Sequence, residues 1–187
     1  MFKPKRTGSF GVSGHLVMAG TTLEIDEADY WYHTPYFWLV EENGEAIFRE
    51  GRRGQDIGCG DPARALRMLS KPVFFADKLG LQIKSDEGAA TTHRSTGRPA
   101  TEISVYGPHA GTDTTGKMVI DNETAMVLSV TVPEGLEPDP LIRLDTTQFA
   151  VHDTMDAALF GDETLDTPGY YSASYRLDGT DPAAQVE

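Results

Sequence analysis

The chain has 187 residues, enough for one domain with a sizeable core, and carries a formal charge of −13 from 29 acids against 16 Lys and Arg. Its mean hydropathy of −0.35, with no apolar run near the roughly 18 residues that cross a bilayer, excludes a membrane-spanning helix. Twelve acids against two arginines from Glu134 onward make an acidic pole, which repels phosphate backbones and argues against nucleic acid as a partner.

Residues 1–9 read as a flexible N-terminus, 10–161 as the domain, and 162–187 as an acidic, partly disordered tail. The basic start MFKPKRTGSFGVSGHLVMAG is interrupted by Gly and Ser where a leader needs an apolar core. As written the chain reads as cytoplasmic, or as exported with a leader removed. Cys59 is the one cysteine, so it forms no internal disulfide.

Phe10 to Gly20 and Thr22 to Tyr32 are predicted strands, the second alternating Leu23 and Ile25 with polar neighbours. Tyr36 to Glu41 is apolar on both of its faces, so both must be covered. Asn43-Gly44 is a hairpin turn signal that returns the chain through Ala46, Phe48 and Arg49. Seven of the seventeen aromatic residues fall between Thr22 and Arg53, which marks this meander as a principal apolar surface.

Gly51 to Gly60 reads as loop, after which Asp61-Pro62 opens a helix with Leu66, Met68 and Leu69 on its apolar side, ended by Lys71-Pro72. Val73 to Ile83 is a second short helix or turn and a strand. Ser85 to Thr96 is a polar loop. Strands follow at Ala100 to Tyr106, Lys117 to Asp121, Met126 to Val132 and Leu141 to Val151. A loop at Gly107 to Gly116 and a turn at Asp121 to Thr124 connect the first three, and DTMDAALF closes as a short helical turn.

Most motifs fail on their context. Gly111 to Met118 resembles a P-loop, but methionine follows Lys117 where a hydroxyl should hold magnesium, and a strand follows instead of a helix. Gly58 to Ala63 fits G-x-G-x-x-A without the buried strand that a dinucleotide fold requires. The five histidines show no metal-ligand spacing, and no G-x-S-x-G elbow occurs. No cofactor or metal is implied. Asn122-Glu-Thr124 fits both a glycosylation pattern and an ordinary turn, and is read as the turn.

His33 lies among aromatics, where desolvation disfavours its charged form; it is either a hydrogen-bonded core histidine or an acid or base near neutral pH, with Arg98 or a carboxylate as helper. Candidate walls of an apolar pocket are Trp31, Tyr36, Trp38, Phe48, Leu66, Leu69, Phe74 and Phe75.

The order of these pieces resembles the lipoprotein-carrier superfamily, which includes the LolA and LolB localisation factors, the regulator RseB and lipid-binding lipoproteins such as LppX. The resemblance lies in Trp31-Tyr32-His33-Thr34-Pro35-Tyr36-Phe37-Trp38, in Pro72-Val-Phe-Phe75, in Gly97 to Ile103, and in the hairpin Lys117 to Leu128, over roughly residues 10 to 160. Ala125 stands where that family's turn glycine is usual.

The resemblance implies a mainly β (α+β) fold: a strongly curved antiparallel sheet forming an open half-barrel, with one or two short helices on the concave side. It also implies binding of an acyl chain or other apolar small molecule in the concavity. Two alternatives stand beside this. One is a cofactor-independent enzyme like the leaderless relative VioE, acting on an aromatic or polyketide-like intermediate. The other is a regulatory module that binds a protein partner or a second copy of itself.

Overall fold

The computed structural model describes residues 2–20, 25–51, 54–57, 65–83, 87–109, 112–133 and 140–161. The expected helix start at Asp61-Pro62, the G-x-G-x-x-A run with Cys59, and the acidic tail fall outside them.

The fold is mainly β and antiparallel. Among the described residues eleven strands run in chain order: β1 (Gly11–Ala19), β2 (Glu27–His33), β3 (Phe37–Glu42), β4 (Glu45–Gly51), β5 (Gly54–Ile57), β6 (Gln82–Ile83), β7 (Ala89–Thr92), β8 (Pro99–His109), β9 (Thr112–Asp121), β10 (Val127–Pro133) and β11 (Pro140–His152). They form a single sheet in the order β5-β4-β3-β2-β1-β11-β10-β9-β8-β6, with β7 also paired to β8. Its first and last long strands meet at the centre, and its two ends do not pair with each other. The sheet is therefore open.

Register shifts at His15/Leu16, Val40/Glu41, Arg49/Glu50 and Val127/Ser129 interrupt the ladders. Bulges of this kind bend a strand and increase its twist. One buried cluster extends from Phe48 of β4 to Ile103 and Val105 of β8, and it includes Leu66, Leu69, Phe75, Ala76, Leu79 and Leu81 from the helical segment. A flat sheet would hold β4 and β8 roughly 34 Å apart, at about 4.8 Å per strand. A sheet curled around the helical segment brings both into one core, as a half-barrel does.

Asn43 and Gly44 have φ of 54° and 78° and set the β3–β4 hairpin, the backbone that the Asn-Gly pair specifies. The helical segment is interrupted: residues 65–66 are helical, Arg67–Ser70 is a 3-10 helix, and α1 (Pro72–Lys78) begins again with proline in its first turn. Pro72 thus ends one helix and opens the next, because it cannot donate inside a helix but fits a first turn.

Three expected loops contain strand. Gly51 to Gly60 holds β5, Ser85 to Thr96 holds β7, and the ends of β8 and β9 take up most of Gly107 to Gly116. These are edge or tip segments. The residues of β7 are exposed or half-exposed, so alternating burial never marked them, and pairing to β8 decides their conformation over local propensity. The P-loop-like run follows suit: it is strand from Thr112 on, and Lys117 Nζ lies 2.8 Å from Glu102 Oε1.

The second apolar face of β3 is covered as its pattern required. Phe37 and Leu39 lie in a smaller cluster with Ala157 and Phe160, which belong to a 3-10 helix at Ala157–Phe160. At the sheet centre, Gly14 lies opposite Tyr30, and a Cβ there would fall 2.5 Å from the Tyr30 hydroxyl. Gly14→Ala is expected to lower stability by about 1–3 kcal/mol, the cost of overpacking, measured by urea unfolding.

Candidate functional site

The inner face of the sheet carries the larger core. From β2 to β4 it presents Ala28, Tyr30, Tyr32, Trp38, Val40 and Phe48, all buried. The pairings Tyr32↔Trp38 and Tyr30↔Val40↔Phe48 align these side chains across the strands. Tyr32 and Trp38 rings lie 4.6 Å apart at 30°, and Tyr30 lies 6.2 Å from Trp38, spacings at which aromatic pairs attract beyond their area burial.

Of the expected pocket wall, Trp38, Phe48, Leu66, Leu69 and Phe75 are brought together here. Trp31 is not: it pairs with Leu39 and packs with the outer cluster, because neighbours along a strand face opposite ways. Tyr36 sits in the β2–β3 turn at 37% exposure, and Phe74 stands on α1 at 60%. The inner aromatics that sequence reasoning passed over are Tyr30 and Tyr32. The signal for them is parity with Trp38 across a three-residue turn, Thr34-Pro35-Tyr36.

Phe48, Leu66, Leu69 and Phe75 have no exposed surface, and Trp38 has 3%. They touch one another as a packed core does. An apolar guest among them requires the helical segment 65–79 to lift from the sheet.

Two polar atoms break this apolar lining. The Tyr30 hydroxyl and Thr146 Oγ1 are buried, and neither meets a partner at full hydrogen-bond geometry. Burial pushes the Tyr30 phenol well above its ordinary value, the closeness of Thr146 offsets part of that rise, and the Asp121 charge adds to it. Burial likewise pushes Tyr32 up to about 12, and its hydroxyl donates to the Pro35 carbonyl at 3.3 Å.

The catalytic candidates are held elsewhere. His33 is 5% exposed, with Nδ1 2.9 Å from the Thr34 carbonyl and Nε2 3.3 Å from Ser9 Oγ. A proton on Nδ1 then donates to the carbonyl, which leaves Nε2 to accept from Ser9. Arg98 gives its guanidinium to Asp121 at 2.6 Å and to Glu123 at 2.7 Å, and it lies over the Phe149 ring at 5.1 Å. The hydrogen bonds to Asp121, first, raise its already high pKa.

Arg6 joins the same network through Glu123 and Asp153. On the outer side, buried His93 bridges Thr96 Oγ1 at 2.9 Å and Asp145 Oδ1 at 3.0 Å, tying the turn before β8 to β11. Among the described residues no group of three or more His, Cys, Asp or Glu could hold a metal ion. No helix among them is long and apolar enough to cross a membrane.

No family model and no curated protein matches the chain. Solved structures similar to it include two of MucB. The crystal structure of MucB shares 15% identity over 75% of this chain and 52% of MucB, with a TM-score of 0.32. That of MucB in complex with MucA(peri) shares 14% over 81% of this chain and 52% of that one, again at 0.32. The chain spans about half the length of these structures. At that TM-score the likeness carries no argument, and the reading of the site rests on its own geometry.

Proposed function

We propose that the protein binds an apolar small molecule or acyl chain on the inner face of the sheet, beneath the helical segment 65–79. The observation that carries this reading is the two-sided apolar character of that segment. Leu66, Leu69 and Phe75 turn inward with no exposed surface, while Val73 and Phe74 are 50% and 60% exposed. A surface helix ordinarily turns polar residues outward. Here the lip of a packed apolar interior is itself apolar, so a guest meets Phe74 first and gains about 25 cal/mol per Å² of apolar surface as it is buried.

Replacing both Val73 and Phe74 by serine removes surface contacts but no buried packing, so the fold is expected to hold. Affinity for methyl octanoate, measured by competition against Nile red, is expected to fall about tenfold, equivalent to roughly 1.4 kcal/mol. Unchanged affinity would remove the lip from the reading. A wild-type protein that binds neither the ester nor the dye, and shows no mass lost between native and denaturing mass spectrometry, would end it.

A second reading, a regulatory module for a protein partner, has its own observation. Among the described strands β5 pairs only with β4, which leaves one edge for a partner's strand. Partner capture that survives the Val73 and Phe74 substitutions but is lost when Gln55 is changed to proline would favour it. The third reading, an enzyme using His33 with Arg98, requires groups that already serve the carbonyl of Thr34 and the carboxylates of Asp121 and Glu123.

A further inference from the structure

We propose that Tyr30 and Thr146 form a two-hydroxyl clasp that donates to the neutral carbonyl oxygen of an ester, ketone or amide group carried by the apolar guest. This deepens the binding reading above and rests on it.

The clasp is built from three strands. Tyr30 of β2 lies opposite Gly14 of β1, and Thr146 of β11 lies opposite Leu16 of β1, one inward-facing position further along. Gly14 is the notch that allows the phenol to lie across β1, since a Cβ would fall 2.5 Å from its oxygen. Tyr30 and Thr146 are both 0% exposed; neither hydroxyl meets a partner at full hydrogen-bond geometry, and the Thr146 side chain lies close enough to act on the phenol.

A buried unpaired hydroxyl is a standing cost of the folded state. Phenylalanine and valine would keep nearly the same shapes without it. The hydroxyls therefore lower the stability of the closed form and become useful only when an acceptor reaches them.

The chemistry selects that acceptor. The surroundings are apolar: Trp38 lies 6.2 Å from Tyr30, and Phe149 faces the same Gly14. Burial keeps the phenol protonated at any physiological pH, so it donates. A carboxylate is disfavoured, because the Asp121 charge acts on the same phenol, and the Arg98 guanidinium beside Asp121 is already engaged by Asp121 and Glu123. A neutral carbonyl carries two lone pairs for two donors and leaves no charge to desolvate.

The test compares methyl octanoate, octanoate and nonane on the full chain, each by competition against Nile red. Wild type is expected to bind the ester about tenfold more tightly than either of the others. Tyr30→Phe and Thr146→Val should each reduce that preference about fivefold, leave nonane affinity unchanged, and melt at or above the wild-type temperature. That combination supports the clasp.

Equal wild-type affinity for ester and nonane overturns the clasp and leaves the apolar-guest reading standing. So does a preference for the ester that both variants retain. Variants that melt several degrees lower while keeping the preference identify the pair as satisfied by a trapped water only, which also overturns it. If wild type binds none of the three probes, the apolar-guest reading fails and the clasp fails with it.

Discussion

Asp121→Ala is expected to destabilise the protein by about 3 kcal/mol or more, the cost of removing one partner from a buried charged pair. The Asp121 side chain is fully buried and accepts from Arg98 Nε at 2.6 Å and Nη2 at 3.2 Å. It also accepts from the backbone amides of Glu123 at 3.1 Å and Thr124 at 2.8 Å, and from Thr124 Oγ1 at 2.8 Å. Alanine would leave two amides and a guanidinium searching for acceptors at once. The β9–β10 turn depends on them, because Ala125 adopts a φ of 60° there, a left-handed backbone that a non-glycine residue reaches only when its surroundings impose it.

Asp121→Asn keeps an acceptor for the turn and loses the charge facing Arg98, so an intermediate loss of about 1–2 kcal/mol is expected. Urea unfolding of the two variants checks the order. A loss below about 1 kcal/mol for Asp121→Ala would show that Arg98 and the turn find other acceptors. The network also has a pH signature. Arg98, and then Arg6, hold the Glu123 carboxyl below its ordinary value of 4.5. A lowered folded pKa means that this contribution is present above the unfolded titration and is lost as pH falls through the folded one. Glu123 is 40% exposed, so solvent screens the effect and it adds little beside Asp121.

What the sequence discloses follows from how each feature is encoded. The β3–β4 hairpin was legible because Asn43-Gly44 supplies positive φ angles that few other pairs tolerate. The inward face of β10 was legible because Val130 and Val132 alternate with Ser129 and Thr131, and burial follows that alternation. β7 was hidden because a strand with no buried face has no period to show, and β5, four residues long at the end of the sheet order, is too short to show one.

The pairing of Trp31 and Trp38 on one wall failed for a related reason. Parity across the β2–β3 turn depends on which residues close it, and His33↔Phe37 puts Tyr32, not Trp31, beside Trp38. Arg98 looked like a catalytic candidate because its partner is 23 residues away. Only the β8–β9 register, which sets Ala100 against Asp121, brings the carboxylate to it. The meeting of Tyr30 and Thr146 lies deeper still, since it needs the positions of three strands and the register shift at His15/Leu16.

The other large expected effect concerns the outer face. Phe160→Ala is expected to cost about 3–5 kcal/mol, the range for truncating a buried phenylalanine. Phe160 is 2% exposed, its ring lies 5.9 Å from that of Phe37, and its 3-10 helix rests on β3 and β4. The turn is held at both ends: Asp156 accepts from the Ala158 amide at 2.9 Å, and Gly161 closes it with a φ of 68°. Gly51 leaves space for the Phe160 carbonyl, which a side chain there would strike. Without the ring, Phe37 and Leu39 lose their cover, and the partly buried Trp31 in the same cluster gains water. The two tryptophans therefore report separately. Emission of the Phe160→Ala protein should shift to the red, and the shift should vanish in a Trp31→Phe background, where only inner-face Trp38 is left to emit. Unchanged emission with a stability loss below about 1 kcal/mol would mean that residues other than this turn cover β3. A red shift that persists without Trp31 would mean that the inner core loosens as well, coupling the two faces through β3.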